Sequence, residues 1–157
     1  MKKPNKTALI SCSNAQPRAN SEKLTVLKTT LSSLGLLPVF GDCIYEKESV
    51  FSGTAKERAE SLMSFYRDPE IRAIFDISGG DIANEILPYL DYDVIAKSSA
   101  VFWGYSDLTT VINAIFTKTG KQSVLYQVRN LISLHAQEQK ANFSASFLEG
   151  KQDLFSF

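Results

Sequence analysis

The sequence is poor in the residues that build metal centres and disulfide frameworks. It has one histidine and two cysteines in 157 residues, and neither Cys12 nor Cys43 belongs to a Cys-x-x-Cys pair. Two cysteines are too few for a disulfide scaffold, so we expect reduced, buried thiols. No cluster of Cys, His and Asp has the spacing of a metal site, and we predict no metal.

The sequence also lacks an excess of charge and any long apolar run. Seventeen Lys and Arg residues balance seventeen Asp and Glu residues, which argues against a nucleic-acid-binding surface. The apolar run after the N-terminal lysines is only Ala8 to Ile10. That is too short for a signal peptide, and no run reaches membrane-spanning length. We therefore expect a cytoplasmic protein with neither a nucleic-acid nor a membrane partner.

What remains is an ordinary globular composition in which strand and helix patterns alternate. Apolar residues make up 44% and charged residues 22% of the chain, which fits one domain with a substantial core. The predicted strands are 7–11, 36–40, 71–77, 100–103 and 123–126. The predicted helices are 21–34, 55–67, 82–87, a segment from 107 to about 119, and 128–139.

This alternation predicts an α/β fold with a mostly parallel sheet of about five strands and helices on both faces. Pro38 inside the second strand favours a sheet edge or the start of a strand, since proline cannot donate to a ladder. In such folds, sites form where the strands end at their carboxyl edge. Three loops are expected there, over 11–17, 78–81 and 104–107.

The last of these loops places Ser106 on a sharp turn from strand to helix. Such a turn can present a serine nucleophile beside helix N–H groups that bind an oxyanion. If strands 3 and 4 are adjacent, the Gly79-Gly80 loop lies near Ser106, and a glycine N–H and the Asp107 N–H would form a two-donor oxyanion hole. Taken alone, however, Ser106 also fits a helix N-cap, and Gly79-Gly80 also fits a simple turn.

Several ordered segments resemble the N-terminal domain of the LD-carboxypeptidases, a serine peptidase family that includes muramoyltetrapeptide carboxypeptidases and microcin C immunity peptidases. The resemblance covers roughly residues 7 to 126. It is carried by Ser52-Gly53-Thr54-Ala55, Asp68-Pro69-Glu70-Ile71, Gly79-Gly80 with Asn84, Leu87-Pro88-Tyr89-Leu90-Asp91-Tyr92, and Gly104-Tyr105-Ser106-Asp107-Leu108-Thr109.

The resemblance implies a flavodoxin-like three-layer sandwich and a role for each site residue. Ser106 matches the nucleophile, Asp107 the residue whose N–H helps form the oxyanion hole, and Gly79 or Gly80 the loop with the other donor. It further implies a C-terminal domain whose Glu and His complete a Ser-His-Glu triad. Typical substrates are L,D-linked murein peptides or peptidyl-nucleotide antibiotics.

The sequence departs from the family pattern in ways that bear on activity. Its one histidine, His135, lies on the predicted fifth helix and does not correspond to the triad histidine. The first loop reads Ser11-Cys12-Ser13-Asn14 where a proline-containing turn is usual, and Gln127-Val128 replaces a usual Gly-Pro. Because serine needs a base, we expect this chain alone to be inactive.

The expected organisation is a nucleophile-bearing domain over 1–140, followed by a tail or linker start over 141–157 towards a second domain that the chain does not contain. The aromatic tail would either cover surface that this domain normally buries or pair with another copy, which leaves a homodimer open. The carboxylates near the turns are expected to serve structure as caps and dipole partners: Asp81, Glu85, Asp91 and Asp93.

Two other functions stay open at this point. One is a non-catalytic pseudoenzyme domain that binds a peptide or nucleotide. The other is a flavodoxin-like binder of a nucleotide or flavin, which is the weakest because the sequence has neither Gly-x-Gly-x-x-Gly nor a Walker loop. We therefore predict no cofactor.

Overall fold

A five-stranded parallel sheet forms the centre of the fold. The structure is a computed structural model that describes residues 5–151. The strands lie in the order β2-β1-β3-β4-β5, and this order is that of flavodoxin. The predicted fold is therefore confirmed. The strands are β1 (Asn5–Ile10), β2 (Leu36–Phe40), β3 (Ile71–Asp76), β4 (Val101–Gly104) and β5 (Val124–Leu125).

Helices cover both faces of this sheet. Within the described residues the α-helices are α1 (Ser21–Ser33), α2 (Ala55–Arg67), α3 (Tyr92–Lys97), α4 (Thr109–Thr119) and α5 (Ala136–Phe143). Segments of 3₁₀ helix lie at Arg18–Asn20, Ala83–Tyr89, Ser106–Leu108 and Val128–Ile132, and a π-helical turn lies at Ser144–Leu148. None of the helices in residues 5–151 combines the length and apolar character needed to cross a membrane.

Alternate residues of the inner strands point to opposite faces, as the two-residue period of a strand requires. Ile74 and Phe102 pack with α2, α3 and α4 in one core. Phe75 and Trp103 pack with α1 and α5 in the other. Both faces of β3 and β4 are thus buried, which explains why their sequences are nearly continuous apolar runs.

Local sequence signals account well for the first half of the chain. Helix α2 has the predicted bounds and begins at a capping box. The Thr54 hydroxyl accepts the Glu57 N–H at 3.2 Å, and the Glu57 carboxylate accepts the Thr54 N–H at 2.7 Å. Pro38 lies in β2, an edge strand as predicted.

Between the predicted helix over 82–87 and the predicted strand over 100–103 we expected only a connection, which was wrong, because this segment contains the short helix α3. The Asp91 carboxylate caps this six-residue helix by accepting the N–H groups of Asp93 and Val94. At the other end, the Lys121 ammonium donates to the carbonyls of Ile95 and Ser98. The second cap comes from a residue far along the chain, so local periodicity alone did not indicate the helix.

Two other predicted helices are built differently. The helix predicted to stop near Pro88 is a 3₁₀ segment that continues through it to Tyr89. A 3₁₀ segment is not built on the i→i−4 hydrogen bonds that proline removes from an α-helix. The helix predicted over 128–139 is divided, because Ser133 is extended (φ −93°, ψ −170°). His135 therefore lies just before α5 rather than within a helix.

The C-terminal segment packs on the aromatic face of the sheet. Phe143 is 4% exposed, and its ring centroid lies 5.8 Å from that of Trp103 and 6.0 Å from that of Phe75. Phe147, in the π-helical turn, lies 5.2 Å from Trp103. These contacts draw the start of the predicted tail into the core, whereas its last residues, 152–157, lie outside the described part.

Candidate active site at the carboxyl edge of the sheet

The turn between β4 and α4 presents Ser106 to solvent. Ser106 is exposed and has a left-handed φ of 61°, which is uncommon for a residue other than glycine. Two residues earlier, a Cβ at Gly104 would come within 2.8 Å of the Leu108 Cβ. Glycine is therefore needed at the end of β4 for the chain to turn this tightly.

The hydroxyl of Ser106 does not act as a helix cap. Within residues 5–151 it makes no hydrogen bond. Two threonine hydroxyls bond to the turn: Thr109 Oγ1 donates to the Ser106 carbonyl at 2.8 Å, and Thr110 Oγ1 donates to the Asp107 carbonyl at 2.7 Å. The backbone of the turn is thus held while the serine hydroxyl stays available.

The Gly79-Gly80 loop leaves the sheet beside this turn. Strands β3 and β4 are paired, with Phe75 opposite Trp103, so the expected adjacency is confirmed and the two loops leave neighbouring strand ends. The glycines are not equivalent. A Cβ on Gly80 (φ 145°) would lie 2.2 Å from Asn14 Cγ, whereas one on Gly79 would meet nothing within 4 Å.

The side chain of Asp107 joins the Ser106 turn to the other two loops. Its Oδ2 accepts hydrogen bonds from the Ser13 hydroxyl and, at 3.2 Å, from the Ala83 N–H. The Ser13 hydroxyl itself accepts the Ile82 N–H at 3.4 Å. Sequence reasoning considered only the backbone N–H of Asp107 and did not identify this role of its carboxylate or of Ser13.

A buried carboxylate lies beneath these loops. Asp76, at the end of β3, is fully buried and accepts the N–H groups of Cys12 at 2.9 Å and Ser78 at 2.8 Å, as well as the Ser78 hydroxyl. Burial raises the pKa of the Asp76 carboxyl. The available sequence signal was an acidic residue inside the apolar run Ile71 to Ile77, where an unpaired charge would be costly.

A buried guanidinium ties the loops together from the side of α2. Arg58 is 1% exposed; it donates to the carbonyls of Cys12 and, at 3.2 Å, of Ile82, and it forms an ion pair with Glu85. The position of Arg58 in the sequence could have identified it, because Arg58 and Leu62 are four residues apart and share one helix face. A charged residue on a core face needs a partner.

The remaining polar candidates lie apart from this arrangement or serve local structure. His135 is exposed at the start of α5. Asp91 caps α3, and Asp93 lies in its first turn. Both cysteines are buried and free, and burial raises the pKa of each thiol. Among residues 5–151, no group of three or more His, Cys, Asp or Glu side chains is placed to hold a metal ion.

Comparison with known proteins relates this architecture to one family. The sequence model of the LD-carboxypeptidase N-terminal domain matches residues 7–127. The microcin C7 self-immunity protein MccF of Escherichia coli is 44% identical over 69 residues, which cover 44% of this chain and 20% of that protein. A Bacillus subtilis protein named "probable murein peptide carboxypeptidase" is 32% identical over 99 residues, covering 63% and 31%.

Solved structures give the same picture. MccF in complex with aspartyl sulfamoyl adenosine superposes with a TM-score of 0.79 and 25% sequence identity, covering 92% of this chain and 44% of that one. This chain therefore spans less than half the length of each of these relatives.

Proposed function

The chain belongs to the LD-carboxypeptidase family, and from that premise we propose that it is the nucleophile-bearing part of a serine hydrolase. The observation that carries the proposal is Ser106, an exposed serine with a left-handed backbone at the carboxyl end of β4. A serine on such a strand-to-helix turn is held clear of the sheet, where a substrate carbonyl can reach it. Its hydroxyl is not engaged elsewhere in residues 5–151.

In this proposal, two backbone N–H groups stabilise the oxyanion. One belongs to Asp107, which follows the nucleophile, and the other to Gly80, in the loop that it shares with Gly79. An oxyanion hole works when its donors are fixed in place before the reaction. The close packing of Gly80 on Asn14 and the hydrogen bonds of the Asp107 carboxylate support such fixed donors.

The proposed substrates of the whole enzyme are small peptides with an L-to-D linkage, as in murein peptides, or peptidyl-nucleotides. The Bacillus subtilis relative, named a probable murein peptide carboxypeptidase, supports the L,D-linked peptides. The self-immunity relative, solved with aspartyl sulfamoyl adenosine, supports the second.

The general base is proposed to come from outside these 157 residues. The sequence has one histidine, and His135 is exposed at the start of α5. A serine hydroxyl without a base is a weak nucleophile at neutral pH. We therefore propose that residues 1–140 form the nucleophile domain, that 141–157 lead towards a domain supplying Glu and His, and that this chain alone is inactive. Because Phe143 packs on Trp103, the C-terminal bound of the nucleophile domain is better placed at Phe143 than at 140.

A second candidate is a non-catalytic domain that binds a peptide or a nucleotide through the same edge. The observation that favours it is again the exposed position of the one histidine, His135. The two candidates differ in whether the Ser106 hydroxyl becomes reactive once a base is available.

Labelling with a fluorophosphonate probe tests this difference. We would incubate the purified chain with and without the C-terminal part of MccF, and then follow labelling of Ser106 and hydrolysis of an L,D-linked tetrapeptide. We expect labelling and turnover only in the mixture, and loss of both in Ser106→Ala. Ser64→Ala, which alters an exposed serine of α2, is the matched control and should keep both.

Two results would count against the enzyme proposal. Absence of labelling in a mixture that forms a complex would favour the binding domain. Turnover by the chain alone that disappears in Ser106→Ala would instead show that the chain has its own base.

A further inference from the structure

Four backbone segments meet at one small group of side chains beside Ser106. The Ser13 N–H donates to the Ser78 hydroxyl at 3.0 Å, and the Ser13 hydroxyl donates to Asp107 Oδ2. The same carboxylate oxygen accepts the Ala83 N–H at 3.2 Å. Ser13 is 0% exposed, so its hydroxyl has no access to water as an alternative partner.

These contacts bear on the backbone strain at Ser106. A left-handed conformation costs an L-residue about 1–2 kcal/mol. It persists only where the surrounding structure over-determines it, and functional sites are where such residues cluster. Ser106 has φ 61°, and the residue that follows it carries the carboxylate that the other loops hold.

We propose that the Asp107 carboxylate and the Ser13 hydroxyl form a clamp that positions the nucleophile turn. The inference deepens the proposed function and rests on it for its catalytic meaning. Because the Asp107 carboxylate is held by its hydrogen bonds, the backbone of Asp107 is held as well. The clamp thereby sets the direction of the Asp107 N–H and the conformation of Ser106. Ser13 and the Asp107 carboxylate are positioning groups here, since their part is played through the Ser106 turn.

The clamp has a direct bearing on reactivity. Catalytic hydrogen-bond donors stabilise a transition state because they are held in place beforehand, and a shift of about 1 Å can cost about 100-fold in rate. Freeing the carboxylate of Asp107 would let the Ser106 turn relax, with the nucleophile and one oxyanion donor moving together.

NMR spectroscopy of the 157-residue chain measures this positioning without requiring activity. A residue with positive φ gives a strong intraresidue cross-peak between its amide proton and its Hα. We expect this signature at Ser106 in the wild type and its loss in Asp107→Ala. Ser13→Ala removes only one hydroxyl and should weaken the same signature, which keeps the test usable where Asp107→Ala folds poorly.

Two further variants separate positioning from general stability. Asp107→Asn should keep the signature, because one amide oxygen can accept from both the Ser13 hydroxyl and the Ala83 N–H. Asp93→Ala changes an exposed aspartate in the first turn of α3, and it should leave Ser106 unchanged. In the labelling mixture, Asp107→Ala should slow modification of Ser106 by about 100-fold, the scale of losing one oxyanion donor.

Retention of the positive-φ signature in folded Asp107→Ala, or in Ser13→Ala, would overturn the clamp. Failure of the proposed function has a different appearance: the signature would respond to these variants as expected, but Ser106 would not label in any mixture. The double variant gives an independent check. If both groups act through one hydrogen bond, Ser13→Ala with Asp107→Ala should slow labelling no more than Asp107→Ala alone.

Discussion

Strands β3 and β4 carry hydrogen-bonded carboxylates at or just beyond their carboxyl ends and packed aromatic rings along one face. At the ends, Asp76 and Asp107 organise loops through charged and neutral hydrogen bonds. Along the face, Phe75, Trp103 and Phe143 contact one another as rings, with centroids 5.4 to 6.0 Å apart. We call the first region the polar edge and the second the aromatic cluster.

The difference concerns what each kind of contact specifies. Apolar contacts are non-directional and scale with buried area, so they supply stability and tolerate rearrangement. Hydrogen bonds contribute about 1 kcal/mol each but depend strongly on geometry. We infer that the aromatic cluster mainly keeps the domain folded, whereas the polar edge mainly keeps the Ser106 turn in one conformation.

Truncating the centre of the aromatic cluster should have the largest effect on stability. Phe75 is 0% exposed and contacts Trp103, Phe143 and Phe147. Phe75→Ala should lower the free energy of unfolding by about 3–5 kcal/mol, through lost burial and a new cavity. Urea denaturation followed by fluorescence of Trp103, the one tryptophan, measures it directly.

Phe116→Ala is the matched control for that variant. Phe116 lies on α4 and is 59% exposed, so its truncation should change stability by no more than about 0.5 kcal/mol. A loss at Phe75 as small as that at Phe116 would contradict the view that the aromatic cluster carries most of the stability.

Arg58→Ala measures how much the hydrogen bonds of the polar edge contribute to stability, since Arg58 binds the loops of that edge from α2. The variant leaves the Cys12 and Ile82 carbonyls and Glu85 without their donor. Breaking a buried pair typically costs about 3–5 kcal/mol. We expect about 3 kcal/mol, because the Glu85 side chain is 43% exposed and water can solvate it.

Arg67→Ala provides the comparison for an exposed pair on the same helix. Arg67 and Glu60 are 47% and 64% exposed, and such pairs contribute about 0.2–1 kcal/mol. Equal losses in the two arginine variants would mean that burial of Arg58 adds little, and that the polar edge is held mainly by other contacts.

How far the sequence predicted these regions follows from the range of their contacts. Helix α2 was predicted with its bounds because periodicity and the Thr54 capping box are local. The sharp strand-to-helix turn at Ser106 was predicted from Gly104 and the helical pattern after it, but the left-handed φ of Ser106 was not. The clamp was not, because Ser13 and Asp107 are 94 positions apart, and Arg58 reaches Cys12 across 46. No local pattern encodes which distant donor a carboxylate will find.

The aromatic cluster shows the same limit. Phe143 and Phe147 had no clear period in the sequence, yet both contact Trp103. Their place is set by how α5 packs on the sheet. The extended Ser133, where the predicted fifth helix is divided, is a backbone conformation that no residue pattern indicated.

Asp76→Asn should have a smaller effect that depends on pH. Asp76 accepts the Cys12 N–H on one oxygen and the Ser78 N–H and hydroxyl on the other. Both oxygens can still accept when the carboxyl is protonated, whereas an amide has one acceptor oxygen. We therefore expect a loss of about 1–2 kcal/mol for the donor that the amide leaves unsatisfied. Burial raises the folded-state pKa of Asp76, so the folded state holds its proton to higher pH than the unfolded state, whose pKa is about 4. The wild type therefore loses stability as pH rises from about 4 through that raised pKa.

The stability difference between wild type and Asp76→Asn should accordingly be greatest at low pH and shrink as pH rises. Urea denaturation at several pH values measures the difference. A difference that grows with pH would indicate that Asp76 gains more from its donors than burial costs it, with a folded-state pKa lowered rather than raised.

The smallest predicted effect is a gain. Glycine adopts positive φ without strain, so Ser106→Gly removes about 1–2 kcal/mol of backbone strain from the folded state. It also raises the conformational entropy of the unfolded chain, which lowers the free energy of unfolding by about 0.4–1 kcal/mol. We expect a net stabilisation of about 0.5–1 kcal/mol, together with complete loss of labelling. Ser49, in the turn between Glu48 and Phe51, has φ 51°, and Ser49→Gly should stabilise equally while labelling is kept. Ser106→Ala should bring no gain, because alanine has the same Cβ. If Ser49→Gly raised the free energy of unfolding and Ser106→Gly did not, the turn would hold Ser106 without backbone strain. The polar edge would then not be distinguished from the aromatic cluster by a strained conformation that it maintains.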